Sequence, residues 1–426
     1  MTIRRTPEDF RVEELTSGEF RASLLPEWAP SNPFAAYRLE KISLATPDAI
    51  GFIARDLRVP RAAVCAAGLK DRHALTSQTI TVDSAALRGH VPRFVEGDNW
   101  RMERIGFTPR AADHTAIAAN RFTLVVRALD KRQADEMVRR ASLLVVCGGD
   151  RDAGDRDAGD RDGEHRGGAS TLAFVNYFGD QRFGSNRHGE GWAARALIEG
   201  DFETALRLAI GTPARKDSGP TRALSRALAT HWGDWPAALA AFGRMPERAA
   251  VETLARGGSF MDAFSALPMF TQEICVEAYQ SHLWNAIARE LADALADATV
   301  QSAFTADDIF GPQVFPRASA LTPAFRALGI PMPSPRAIMP ECLTEIATGV
   351  LADEGVEFGK LRIPGLARPY FGGGDRPFIA EARHCSISPP GPDSFAGGSS
   401  ANLACTVAFE LPRGAYATVL LRALGQ

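Results

Sequence analysis

Ala66-Ala67-Gly68-Leu69-Lys70-Asp71-Arg72-His73-Ala74-Leu75-Thr76-Ser77-Gln78 is the stretch whose reading decides the fold. It grows out of Val64-Cys65-Ala66-Ala67, a small apolar run that fits a buried strand. Gly68 then lets the backbone turn, and Lys70, Asp71 and Arg72 arrive together. Beyond them the polarity alternates through Thr76, Gln78, Thr79, Ile80, Thr81 and Val82, which predicts a second strand. Asp71 is therefore expected in a tight connection between two strands, with a cation on each side favouring its ionised form. Spacing alone fits a solvated Lys-Asp-Arg turn as well as it fits a reactive carboxylate.

The flanks support a mixed sheet. Upstream, Phe10 and Val12 alternate against charge, and Tyr37, Leu39 and Lys41 fall on one face of a strand over Phe34–Ile42. Lys41 either snorkels at that strand's end or points into a polar pocket. Thr46-Pro47 reads as a helix start, with Thr46 as its cap, Ile50, Ile53, Ala54 and Leu57 as its apolar stripe, and Val59-Pro60 as its stop. A strand, a helix and another strand around one loop indicate a mixed sheet with helices. Downstream, Phe122–Arg127 is rich in β-branched residues, and Asn120 and Phe122 share one side of that strand. On their own they read as a turn-capping Asn and a core Phe.

Lys131–Cys147 has the 3.6 period of an amphipathic helix. Gly149-Asp150-Arg151-Asp152-Ala153 is then repeated at 154–158 and, ending in glycine, at 159–163. Five residues without an apolar face bury nothing, so 146–170 is expected to be a mobile surface loop, and the repeat matches no EF-hand spacing. From about 190 the chain is alanine-rich and helical, with Tyr279, Leu283, Trp284, Ile287, Leu291 and Leu295 lining one face of a helix over Phe270–Asp297. Residues 312–340 are proline-rich and read as irregular. From 346 onward the sequence returns to sheet, with strands at Phe378–Ala380 and Ala404–Leu411 and a last helix over Tyr416–Leu424.

Composition narrows the function classes. A chain of 426 residues, 45% hydrophobic, suggests two or three domains at roughly 150 residues each. No apolar run reaches the roughly 18 residues of a membrane span. The start, Met1-Thr2-Ile3-Arg4-Arg5, leads to acidic residues and Pro7 and not to an apolar signal segment, so a cytoplasmic location is expected. Six scattered cysteines form no Cys-x-x-Cys pair and read as reduced, mostly buried residues. Eight dispersed histidines lack ligand spacing, which argues against a metal or cysteine hydrolase. Lys+Arg is 48 against Asp+Glu 51, so no global basic field exists. Arg101, Arg104, Arg110, Arg121, Arg127, Lys131, Arg132, Arg139 and Arg140 nevertheless cluster in sequence and could form a local phosphate patch.

Gly68–Gln78 resembles the signature loop of the TruD family of tRNA pseudouridine synthases, and other family motifs recur in order. Pro7-Glu8-Asp9-Phe10-Arg11-Val12-Glu13-Glu14 is similar to the family's opening. Tyr37-Arg38-Leu39-Glu40-Lys41, followed by Thr46, resembles the segment carrying its active-site lysine. Asn120-Arg121-Phe122 is similar to its Asn-x-Phe motif, Asn176–Gly184 to a further motif, Gln280–Asn285 to a family helix, and Leu411–Thr418 to its closing segment.

The resemblance implies an α+β fold: a discontinuous mixed-sheet catalytic domain (1–180 and 346–426) interrupted by a mostly helical, family-specific domain (181–345). It implies isomerisation of uridine, at position 13 of a tRNA such as tRNA-Glu, by a monomer without metal or cofactor. The site residues carried over are Asp71 as the catalytic carboxylate, Asn120 as its orienter and Lys41 as its charge partner. Phe122 becomes a platform for the everted base, and Lys70, Arg72, Gln181 and Arg182 become substrate contacts. A single carboxylate beside C1′ suffices because no group leaves into water; it acts as nucleophile or as base in an elimination route. The competing class is a catalytically silent tRNA-binding or RNA-folding module, for which Asp71→Asn leaves a pseudouridine assay unchanged.

Overall fold

The computed structural model describes residues 3–146, 170–186, 188–215, 217–298, 304–306, 310–395 and 402–426. The Asp/Arg repeat and Arg187 lie outside the described residues. Strands in chain order are β1 (Phe10–Thr16), β2 (Phe34–Ile42), β3 (Val64–Ala66), β4 (Leu75–Asp83), β5 (Phe94–Gly97), β6 (Trp100–Thr108), β7 (Ile117–Leu129), β8 (Ser170–Val175), β9 (Phe304–Ala306), β10 (Gln313–Phe315), β11 (Gly329–Pro331), β12 (Asp375–Pro377), β13 (Ile379–Ile387), β14 (Gly391–Pro392) and β15 (Leu403–Pro412).

Two compact units emerge. The first takes in Met1–Phe174, Arg317–Ser319 and Ala380–Gln426, and the second Val175–Pro316 and Ala320–Ile379. The class is the expected α+β, with a mixed sheet in a discontinuous unit and helices in the inserted one. The return to the sheet comes at 380, later than the 346 read from sequence. The intervening chain opens with a helix, Glu341–Asp353, whose buried Leu343, Ala347, Val350 and Leu351 recur at helical spacing. That helix packs on the long helix Met269–Ala298, which keeps this stretch in the second unit.

The first unit's sheet runs β5-β6-β2-β4-β1-β7-β15-β13-β8, with β14 beside β15 and β3 beside β4. The β1–β4 pair is parallel, whereas β2 pairs antiparallel with β4, and β1 and β15 with β7. Register sets one row of residues across five strands: Lys41 opposite Thr76, Thr76 opposite Val12, Val12 opposite Phe122, and Phe122 opposite Phe409. Residues opposite in register share a face, so Lys41 and Phe122 lie on the same side. Asn120 and Glu14, two residues from that row and opposite one another, join them. Toward β2 the same face is apolar: Tyr37 and Leu39 pack with Ala49 and Ile53 of the helix Thr46–Asp56.

The strand β4 changes neighbours along its length, and this creates the place for a loop. Leu75–Ser77 pair with β1, whereas Ile80–Val82 pair with β3. At the split, the amide of Thr79 donates to Glu14 Oε1 at 3.1 Å. Residues 67–74, linking β3 to β4, rise from this gap.

In the second unit the long helix buries Tyr279, Leu283, Trp284, Ile287, Leu291 and Leu295, the face expected from their spacing. Tyr177, Phe178 and Phe183 are core, as read. Arg376, buried, donates to the Asn176 backbone and side-chain oxygens at 2.8 Å and lies 3.9 Å from the Phe178 ring centroid. Among the described residues no helix is long and apolar enough to cross a membrane.

Candidate active site

The loop 67–74 is pinned to the sheet by buried polar groups that were not all legible beforehand. Thr46 is not a helix cap: the cap position is Ala45, and no side chain caps this end. Its hydroxyl instead accepts from the Lys70 amide at 3.0 Å and donates to Gln78 Oε1 at 2.8 Å. Gln78 Nε2 in turn donates to the Gly68 carbonyl at 3.0 Å. The first half of the loop thus hangs on one Thr–Gln pair buried at the start of the helix. A Cβ at Gly68 would come within 2.9 Å of Ile117 Cδ1, so that side chain would have to shift to admit one.

Lys41 resolves toward the polar pocket. The side chain is buried, and Nζ donates to the carbonyls of Leu44 at 2.6 Å, Asp71 at 3.1 Å and Lys70 at 3.4 Å. It therefore holds the loop's backbone, meeting Asp71 at its peptide oxygen. Burial pushes the Lys41 ammonium down from 10.5 to about 8; the Asp71 carboxylate pulls it up and the Lys70 charge adds to the fall.

The flanking cations do not serve Asp71 as the sequence suggested. Lys70 Nζ is 2.7 Å from Glu14 Oε2, a pair with both side chains almost fully buried. Arg72 turns outward to Asp48 at 2.6 Å. Both side chains are taken up by other carboxylates, so adjacency in sequence did not pair them with Asp71. The partner comes from 67 residues away: Arg4 Nη2 donates to Asp71 Oδ2 at 2.9 Å. The Asp71 side chain keeps 35% of its surface exposed, and Leu69 beside it, at 76%, is the loop's most open apolar residue.

Arg4 was missed because nothing in the sequence ties it to position 71. The fold supplies three ties. Its guanidinium lies 4.0 Å from the centre of the Phe10 ring. The next two amides, of Arg5 and Thr6, donate to Asp9 Oδ2 at 3.1 Å. Asp9 is gripped by Arg127, which also reaches Asp393 at 3.0 Å. Burial opposes a charge on Asp9, but the Arg127 guanidinium and the amides of Thr6 and Arg5 outweigh it and hold the carboxyl below its usual value.

Phe122 is half-buried, stacked on Phe409 at 5.3 Å and edge-on to Phe10 at 6.3 Å between ring centroids. It thus stands one ring away from Arg4. Asn120 is placed on the same sheet face, but it makes no hydrogen bond to Asp71; its Oδ1 is buried without a partner among the described residues. The contacts to Asp71 seen in this structure come instead from Arg4, on the carboxylate, and Lys41, on the backbone. Gln181, exposed, and Arg182 belong to the second unit. There Arg182 donates to Ser281 Oγ at 3.1 Å and pairs with Glu277, tying its short segment to the long helix.

The arginine-rich run over 101–140 is likewise not a free basic patch. Arg101 faces Glu40, Arg110 faces Glu19, Arg121 faces Glu13 and Glu410, and Arg139 and Arg140 share Glu136.

The profile of the family described as tRNA pseudouridine synthase D (TruD) matches residues 1–424. The chain is 28% identical over 288 residues to a tRNA pseudouridine synthase D of Aquifex aeolicus, covering 66% of this chain but only 64% of that relative's length. It is 28% identical over 413 residues to a probable tRNA pseudouridine synthase D of Methanopyrus kandleri, covering 95% and 88%. A crystal structure from Methanosarcina mazei bearing the same family name superposes with a TM-score of 0.64 at 20% identity, over 99% of this chain and 92% of that one, which shows a shared fold. A profile match running nearly end to end, on a chain whose signature loop is locked in place by Lys41 and Thr46, establishes that this protein belongs to the tRNA pseudouridine synthase D (TruD) family.

Proposed function

We infer that the chain isomerises uridine to pseudouridine in tRNA, at uridine 13, with Asp71 as its single catalytic carboxylate. The observation that carries this reading is the Asp71 carboxylate, partly open to solvent, paired with Arg4 and standing on a backbone fixed by the buried Lys41 ammonium. The Arg4 hydrogen bond fixes one carboxylate oxygen, and either route at C1′ needs the carboxylate held in place. Membership of the family and the names of its relatives support tRNA as substrate. The position, a monomeric state and independence of metal or cofactor rest on the family resemblance, and a cytoplasmic location on the sequence reading.

The reaction balances without an added reagent. The N1–C1′ bond breaks, the uracil turns, C5–C1′ forms, the proton on C5 leaves and N1 takes one up. Arg4 limits the mobility of the carboxylate, while Phe122 offers a ring face to an everted base. The Lys41 contacts set where the Asp71 backbone sits, so Lys41 is a positioning residue; Lys70, tied to Glu14, is another.

The test is a pseudouridine map of all tRNAs in a deletion strain complemented with wild type or with Asp71→Asn. Position 13 is expected to be modified only with wild type. An unchanged map in the uncomplemented strain, or full restoration by Asp71→Asn, refutes the assignment.

A further inference from the structure

We propose that a preformed pocket in the second unit, walled by residues 331–338 and 361–375, binds an unstacked nucleotide of the RNA substrate. This rests on the tRNA reading above and names a second contact for the same substrate. The cavity measures about 740 Å³, within the ~300–1,000 Å³ of small-ligand sites and ample for one nucleotide.

Its two walls are held rigidly. The buried Gln280 of the long helix donates to Pro333 O at 2.8 Å on one wall and to Gly372 O at 2.6 Å on the other. The β11–β12 ladder and the bond from Met332 N to Gly374 O, 2.8 Å, join them again. The pocket is thus built before any ligand arrives.

Its surface chemistry is that of a single-stranded nucleic acid site. Tyr370 is 64% exposed and Ile338 87% exposed, large apolar groups at the mouth of a fixed cavity. Arg336 and Arg362 line the pocket, and Arg368 is exposed next to the wall residue Pro369. Unlike Arg101, Arg121 and Arg127 of the sheet, none of the three makes an ion pair among the described residues. Free guanidiniums beside an exposed aromatic ring supply phosphate contact and base stacking together. Asp375, the acid on the wall, is an acceptor suited to an amino or imino group on a base edge.

The experiment uses full-length Asp71→Asn protein, unmodified tRNA transcript, photocrosslinking with peptide mapping, and binding titrations of Tyr370→Ala, Tyr370→Phe and Arg336→Ala/Arg362→Ala. A crosslink within 331–375 is expected. So are about tenfold weaker binding for Tyr370→Ala, near-full binding for Tyr370→Phe, and a shallower salt dependence for the double arginine variant. Wild-type affinity in all three with no crosslink in this stretch overturns the pocket alone. Tyr370→Ala altering self-association but not RNA binding overturns it in favour of a protein-docking site. Absence of tRNA binding by the wild-type protein removes both this proposal and the tRNA reading.

Discussion

Lys41→Met separates what the buried ammonium does for stability from what it does for the site. Methionine keeps the length and the apolar stem but removes the charge and its three donors. Two effects on stability oppose one another. The fall from 10.5 to about 8 means that burying this charge costs ~3 kcal/mol. Removing its donors leaves the carbonyls of Leu44 and Asp71 without their 2.6 and 3.1 Å bonds, at about 1–3 kcal/mol each. The terms nearly cancel, so unfolding free energy should change by no more than about 3 kcal/mol. Turnover has no such compensation: a carboxylate displaced by about 1 Å loses on the order of 10²-fold.

The pH dependence gives the sharper test. Lys41 is depressed in the folded state, so below about pH 8 both folded and unfolded chains are protonated and the burial cost is constant. Between about 8 and 10.5 the unfolded chain binds more protons, and this group's contribution to stability therefore rises with pH. Activity should move the other way, falling through about pH 8 as the loop loses its ammonium. Denaturant melts and single-turnover pseudouridine formation, both from pH 7 to 10, measure the two trends. Lys41→Met should lack the alkaline loss near 8. The same alkaline limb in Lys41→Met, or wild-type turnover in that variant at pH 7, refutes the positioning role.

Other expectations follow from single contacts. Arg4→Met should leave stability within ~1 kcal/mol, since an ion pair about one-third exposed contributes little; single-turnover rates should fall at least tenfold, and equal loss of stability and rate counts against it. Glu14→Gln strands the buried Lys70 charge and the Thr79 amide geometry, so denaturant titration should show a loss of about 3–5 kcal/mol. Phe122→Ala should raise KM and lower kcat on tRNA, whereas Phe122→Tyr should retain most activity, because the stack on Phe409 needs a ring.

The sequence carried much of this fold where period and burial coincide. The long helix showed its buried face through Tyr279, Leu283, Trp284, Ile287 and Leu291, and Lys41 announced itself by sharing a face with Tyr37 and Leu39. It failed where one group has two possible employers. Thr46 has the residue type and the following proline of a helix cap, yet Lys70 and Gln78 compete for its hydroxyl and win, because the loop amide would otherwise be buried unpaired. Lys70 and Arg72 flank Asp71 in the chain, but side-chain direction sends one into Glu14 and the other to Asp48. The arginine run over 101–140 read as a basic stripe because its neutralising carboxylates lie on other segments, such as Glu13, Glu40 and Glu410. Ion pairing across a sheet is set by register, which a linear reading does not contain.

Register also explains why the first residues of the chain belong to the site. Arg127 on β7 reaches Asp9 because β1 and β7 lie side by side, with Phe10 opposite Leu124. Asp9 then fixes two consecutive amides, and the residue before them, Arg4, falls over the Phe10 ring and against Asp71. Phe10 is edge-on to Phe122, which is opposite Val12 in the same strand pair. The proposed acid and the proposed base platform are consequently linked through Arg4 and Phe10, and their separation is set by sheet packing more than by the loop that carries the acid. A loop held this way needs little internal structure, which accounts for a partly exposed carboxylate on a short glycine-led turn with an exposed leucine near it.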